Sequence, residues 1–189
     1  MLVPDRVYHY GSDGEMDHGW GCVYRAAQNV LHALGMRPVP GVADMMKSLD
    51  VSPGAQGMAR WIEPLQVQQL LRLYAAQGRL RLPGVPLLVG LAPKPHRMLR
   101  TRPDDFNRVH ADWHAFHADV VHHLRTTRVP VVVDDGVLGL CVAGFRGDGS
   151  NGQYMLLDPH QPSEPVRFES VATFYGRVPM LMAVMFLGH

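Results

Sequence analysis

Cys22 follows the glycine-rich segment Asp17-His18-Gly19-Trp20-Gly21 and stands just before Val23, where a helical pattern begins. A thiol at a helix N-terminus faces the partial positive charge of unpaired backbone N–H groups, which favours the thiolate. The glycines flanking Trp20 leave the backbone room to approach a substrate. The competing reading is a buried structural cysteine, because free cysteines are among the most buried residues. Placement alone does not separate the two. Far along the chain, Asp158-Pro159-His160 follows the apolar run from Gln153 to Leu157. A cysteine protease needs an imidazole to take the thiol proton and a carboxylate or amide to orient that ring. In extended backbone, residues i and i+2 point the same way, so Asp158 and His160 are expected to converge from one strand end, with Pro159 stiffening the link. On its own the tripeptide is an ordinary turn. Tyr10, twelve residues before Cys22, carries a phenol able to donate to a tetrahedral oxyanion. Taken alone, Val7-Tyr8-His9-Tyr10 reads as a strand with a wet edge.

These groups must be positioned by the elements around them. Val23, Ala26, Ala27, Val30, Leu31 and Leu34 follow the rhythm of one buried helix face, and Gly35 sits where a C-terminal cap belongs. A loop rich in Pro38, Pro40, Pro53 and Gly54 comes next. A second helix is expected from Pro64 through Ala76, with Pro64 at its first position. Val85 to Leu91 reads as a strand, and Pro86 near its start favours an edge. The polar stretch 94–105 reads as a surface loop and Trp113 to Leu124 as a third helix. Four short apolar runs follow: Val129–Val133, Leu138–Phe145, Gln153–Leu157 and Met180–Leu187, separated by turn residues. Helices first and strands later is an α+β pattern, not a doubly wound parallel sheet.

Composition narrows the class. The chain has 189 residues, of which 47% are apolar and 19% charged, so one compact domain spanning residues 1–189 with a sizeable core is expected. Eighteen basic and 17 acidic residues leave a net charge of +1. With no basic run, that balance excludes an electrostatically driven nucleic-acid binder. Cys22 and Cys141 are the two cysteines, too few for a disulfide-stapled fold. Val178 to Leu187 spans ten residues, interrupted by Pro179, about half the ~20 needed to cross a bilayer. The start of the chain lacks the pattern of a signal peptide. A soluble, cytoplasmic protein is expected.

Together the motifs resemble those of the ubiquitin-fold-modifier-specific proteases. Asp17-His18-Gly19-Trp20-Gly21-Cys22-Val23-Tyr24-Arg25, with Gln28 following, is similar to that family's nucleophile motif, Asp-Asn-Gly-Trp-Gly-Cys-Ala-Tyr-Arg with a glutamine beyond. The family's tyrosine stands where Tyr10 stands, and its Asp-Pro-His follows a short apolar strand. Trp61-Ile62-Glu63 leading into Val67-Gln68, and Pro130–Val133 before Gly136-Val137-Leu138, match further segments. The resemblance runs in order from Tyr8 to His160. It implies a papain-like cysteine protease fold, helices packed on a mainly antiparallel central sheet, in the short form that consists of the catalytic domain. It also implies the activity: trimming the modifier precursor to its C-terminal glycine and detaching the modifier from lysines of target proteins, without a cofactor. In that scheme Cys22 is the nucleophile, His160 the general base and later the acid, and Asp158 orients His160. Tyr10 helps form the oxyanion hole, while Trp20, Gly21 and Trp61 bind substrate. Departures are His18 for asparagine, Gln161 for tyrosine, Asp134-Asp135-Gly136 for a triple glycine, and Leu140 for histidine. They bear on substrate fit rather than on the four chemical groups.

Other readings stay in view. An autophagy-type cysteine protease shares Gly-Trp-Gly-Cys and Asp-Pro-His, but such enzymes are longer and place their tyrosine farther from the cysteine. A domain that binds a modifier without cutting it has no chemical need for all four groups. His110, His114 and His117, with His122 and His123 nearby, read as a solvated helix face rather than a metal site, since only Asp112 and Asp119 add acidic groups. Cys141 and Met45-Met46 read as core packing. Oligomeric state is not legible in the sequence.

Overall fold

The structure, a computed structural model, describes residues 4–52, 57–84, 87–92, 108–177 and 181–187. Among the described residues seven strands form one sheet: β1 (Leu87–Ala92), β2 (Arg108–Val109), β3 (Val131–Asp134), β4 (Gly139–Arg146), β5 (Gln153–Leu157), β6 (Val166–Ser170) and β7 (Leu181–Phe186). Their order is β2-β1-β7-β3-β4-β5-β6. Every pairing is antiparallel except β1 with β2. The same residues form the α-helices α1 (Cys22–Ala33), α2 (Val42–Ser48), α3 (Pro64–Ala76), α4 (Trp113–Thr127) and α5 (Val171–Arg177). The expected α+β architecture with a mainly antiparallel sheet is what forms. No described helix is long and apolar enough to cross a membrane.

Helices cover both faces of the sheet, which explains why β3 reads Val131-Val132-Val133 instead of alternating with polar residues. Val132, Cys141, Leu157, Val184 and Phe186 pack with α1 and α3 in one cluster. Val131, Val133, Leu140, Val142, Tyr154 and Met185 pack with α4 and α5 in another. Side chains alternate between the two faces, so each strand serves both cores.

Helix α1 runs through the first core and is buried from Cys22 to His32. Its C-terminus closes as the sequence predicts: Gly35 has φ +83°, and the N–H groups of Gly35 and Met36 donate to His32 and Leu31 carbonyls at 3.0 Å each. Helix α3 begins at the predicted Pro64, with Gln66 Oε1 accepting from the Glu63 N–H at 2.9 Å.

Several expectations need correction. The segment read as a loop after Gly35 contains α2, a seven-residue helix too short for its period to stand out among prolines. Its Met45 and Met46 are core residues as expected, and so is Cys141, whose thiol donates to the Ala26 carbonyl. Strand β6 and helix α5 were not anticipated either. Strand β1 is not an edge: β7 pairs along its whole length and β2 meets Gly90 and Leu91 on the other side. Pro53, Gly54, Val85, Pro86 and the 94–105 stretch lie outside the described residues. Val7-Tyr8-His9-Tyr10 is not a strand; the Asn29 side chain accepts from the Tyr8 N–H (2.8 Å) and donates to its carbonyl (3.1 Å) in place of a strand partner.

Candidate active site

Cys22 is the first residue of α1, capped by Gly21, and is 2% exposed. Two glycines fix this point. A Cβ on Gly21 would lie 2.2 Å from Asp17 Oδ2, and one on Gly139 would lie 2.5 Å from Val23 Cγ2. The first lets the nucleophile loop fold over the Asp17 carboxylate. The second lets the start of α1 press against β4. Asp17 itself is fully buried. Its carboxylate accepts from the Gly11 N–H at 2.9 Å and from Arg25 Nε at 2.7 Å, and its carbonyl accepts from the Gly21 N–H at 2.8 Å. Arg25, also fully buried, reaches Asp13 at 2.7 Å and Gln28 at 3.0 Å. Asp17, Arg25 and Gln28 of the nucleophile motif therefore build the loop's frame. Removing one partner of such a buried pair costs about 3–5 kcal/mol.

Asp158 and His160 converge, but not from extended backbone. The chain leaves β5 in a turn in which Asp158 Oδ1 accepts from both the His160 N–H (3.1 Å) and ring Nδ1 (2.7 Å). A carboxylate accepting two residues ahead is ordinary Asp turn chemistry, and it brings the pair together more tightly than a strand would. With Nδ1 taken, Nε2 is left for the thiol, and Cys22 lies near enough to act on the ring. Burial pulls the His160 pKa down, but Asp158 and Cys22 outweigh it and raise it to about 9. Burial pushes Asp158 up, yet its bonds with His160 and Arg167 carry it down to about 2. Both ions are thus favoured at neutral pH, each through its partners.

Tyr10 joins them. Its N–H donates to the Pro159 carbonyl at 3.2 Å, and its ring meets that of His160 edge-on with centroids 5.2 Å apart. The Cys22 sulfur and the Gly19 N–H both act on its hydroxyl. Burial, and after it Cys22, push the phenol's pKa upward, so Tyr10 remains a donor. His18, one of the departures noted above, meets the Tyr10 ring at a tilt with centroids 5.0 Å apart.

The residues expected to bind substrate are tied to α1 by their own contacts. Trp20 is half-buried, edge-on to Tyr24 and beneath the Arg60 guanidinium at 5.2 Å. Tyr24 donates to the Arg60 carbonyl at 3.1 Å, which ties the segment bearing half-buried Trp61 to α1. Asp134 lies across the ladder from Gly139, on the α1 face of the sheet. Its carboxyl is pushed up to about 7 by burial, with Asp135 and Glu63 adding and the Gly136 N–H opposing.

The histidine cluster is a solvated face only in part: His114 and His122 are exposed. His110, His117 and His123 are buried. His117 bonds the Tyr154 hydroxyl and His110 bonds Asp119, while His123 links α4 to β7 and to Val129. Their neighbours are apolar sheet residues that a helical-period reading of 110–123 does not reveal. Among the described residues no three His, Cys, Asp or Glu side chains gather to hold a metal ion. Sequence reasoning also passed over Arg167, Glu169 and Gly139. Arg167 and Glu169 alternate with Val166 and Phe168 after the Pro162–Pro165 turn, a period-2 signal for the missed β6.

A thiol, an imidazole held by a carboxylate, and a phenol donor now share one point at a helix N-terminus. That set can activate a sulfur nucleophile, shuttle its proton and stabilise an oxyanion.

No protein-family model matches the chain. Ufm1-specific protease 1 of Mus musculus is 30% identical over 172 residues, covering 84% of this chain and 66% of that protein. Ufm1-specific protease 2 of Gallus gallus is 24% identical over 165 residues, or 81% of this chain and 31% of that one. The chain thus spans just under two thirds of the mouse relative and less than a third of the chicken one. The crystal structure of UfSP from C. elegans superposes with a TM-score of 0.68 over 96% of this chain and 32% of that one, at 16% identity. The folds correspond.

Proposed function

The chain belongs to the Ufm1-specific protease family, and on that premise we propose that it is a cysteine peptidase acting on a ubiquitin-fold modifier. It trims the modifier precursor to its terminal glycine and releases the modifier from conjugated lysines. The convergence of Cys22, His160, Asp158 and Tyr10 at the start of α1 is the observation that supports this most strongly.

In the proposed cycle His160 Nε2 already holds the proton of Cys22, and the Cys22 sulfur attacks the carbonyl carbon of the modifier's terminal glycine. Negative charge moves to the carbonyl oxygen, which the Tyr10 hydroxyl stabilises as a donor. The first N–H groups of α1, which have no acceptor within the helix, face the same oxygen. His160 returns the proton to the departing amine, leaving a thioester. Water, deprotonated by His160, then attacks the thioester and frees the glycine carboxylate. Asp158 keeps the imidazole in one tautomer and stabilises it when charged. Trp20, Gly21 and Trp61 line the approach of the glycine tail, where bulkier residues do not fit.

The test is cleavage of a modifier precursor carrying a C-terminal extension. The wild type should release mature modifier, and Cys22→Ala should lose at least ~10³-fold in rate. Wild-type protein that binds the precursor without cutting it would instead support a binding module.

A further inference from the structure

Asp158 has two oxygens, and His160 uses one of them. The other, Oδ2, accepts from Arg167 Nε at 3.1 Å. From these contacts we propose that Arg167 is a positioning residue, pinning the Asp158 carboxylate so that Oδ1 stays aimed at His160. The inference rests on the function proposed above.

Arg167 is itself held from both sides. It lies on β6 across from Leu156, one residue before Asp158's strand neighbour Leu157. The Asp158 N–H donates to the Pro165 carbonyl at 2.8 Å, closing the loop that carries His160 onto the start of β6. Glu169, two residues beyond Arg167 and so on the same face of the strand, accepts from Arg167 Nη1. Charges therefore alternate from Glu169 through Arg167 and Asp158 to His160, ending at the Cys22 thiol. Asp158 and Glu169 are buried and the Arg167 side chain is 26% exposed, so solvent screens this row less than a surface ion pair. Without Arg167, the Asp158 side chain is free to turn about its Cβ–Cγ bond, and its charge is balanced by His160 alone. An arginine suits the place because its planar fork bonds two carboxylates at once, which a lysine ammonium does with less directional control.

The experiment compares Arg167→Ala, Arg167→Lys and Glu169→Gln with the full wild-type chain, each checked for folding by thermal melting. Two readouts are taken: the pH profile of Cys22 alkylation by iodoacetamide, which needs no modifier, and steady-state cleavage of the modifier precursor. For Arg167→Ala, kcat should fall about tenfold to a hundredfold, the size of one lost hydrogen bond to a charged group, with KM unchanged. The acid limb of its alkylation profile should move to higher pH, because Asp158 has lost a cation. Arg167→Lys should restore the limb and part of kcat. Glu169→Gln, which loosens Arg167 without removing its charge, should lower kcat by less than Arg167→Ala does. A folded Arg167→Ala protein with wild-type kcat and an unmoved limb overturns the proposal. If that variant does not fold, wild-type behaviour of both Arg167→Lys and Glu169→Gln overturns it equally. A shifted alkylation limb in a protein that cuts no modifier would retain the positioning role and reject the substrate instead.

Discussion

Replacing Gly139 by alanine should push the nucleophile off its mark, although Gly139 is on a strand and touches no reacting atom. The new Cβ would stand 2.5 Å from Val23 Cγ2, 3.2 Å from Val23 N and 3.3 Å from Val23 Cα. Ordinary carbon contacts sit at ~3.5–4.0 Å, so the start of α1 must retreat by about 1 Å unless Val23 moves instead. Val23 is β-branched, keeps one favoured rotamer in a helix, and is 2% exposed. The helix is therefore what gives way, and Cys22 is its first residue. Overpacking of this kind costs about 1–3 kcal/mol of stability, and misplacing reacting atoms by ~1 Å costs on the order of 10² in rate. Val23→Ala removes the clashing methyl and should by itself cost roughly 2 kcal/mol through lost packing. Combined with Gly139→Ala it should recover most of the lost rate and make the two stability losses less than additive. The rescue stays partial because the backbone contacts at 3.2 and 3.3 Å remain. Urea unfolding gives the stabilities, and the second-order rate of Cys22 alkylation at fixed pH gives the reactivity. A single Gly139→Ala variant with alkylation within twofold of wild type, or a double variant no better than the single, would refute this account of how α1 is seated.

Three further outcomes are expected. His160 is raised from 6.5 to about 9, so the rate should hold through neutral pH and fall as pH rises through about 9; the stabilisation from its charged form is complete below 6.5 and gone above 9. A basic limb near 6.5 would show that the ring is not coupled to its partners. His123 accepts from the Phe186 N–H (2.7 Å) and meets the Val129 carbonyl (2.8 Å) as a neutral ring. Burial lowers it from 6.5 to about 4 against the opposing pull of those backbone bonds. Acidification from 6.5 toward 4 should therefore remove roughly 3 kcal/mol of stability, less whatever other groups contribute, a slope that His123→Gln should flatten in urea titrations. Tyr10→Phe should lower kcat by about 10² with KM little changed, as for loss of one oxyanion donor; unchanged kcat would remove Tyr10 from the oxyanion hole.

The parts of the fold visible in the sequence were those with local signals. The periodic face of α1, Gly35 at its end and Pro64 at the start of α3 each express a short-range rule, and each appears where expected. The last-third strands were legible as apolar runs between turns. What stayed hidden depended on the far side of the contact. Strand β6 exposes Phe168 and carries Arg167 and Glu169, so it lacks an apolar run. His117 and His123 look solvated in sequence and are buried because β5 and β7 lie against their helix. Gly139 reads as one more residue of the Leu138–Phe145 run until Val23 packs over it. At the site, Cys22, Asp158, His160 and Tyr10 were nameable from spacing and resemblance. The Asp158 turn and the Arg167 contact required the loop between β5 and β6 to be in place.

The most direct test presents the protein with a panel of ubiquitin-like modifiers bearing C-terminal electrophiles, with the adduct located by mass spectrometry. Rapid adduct formation is expected on Cys22 with the ubiquitin-fold modifier, slow or no reaction with the others, none on Cys141, and none in Cys22→Ala, which still binds the modifier. Labelling of the wild type at another residue, or by no modifier at all, would contradict the proposed function.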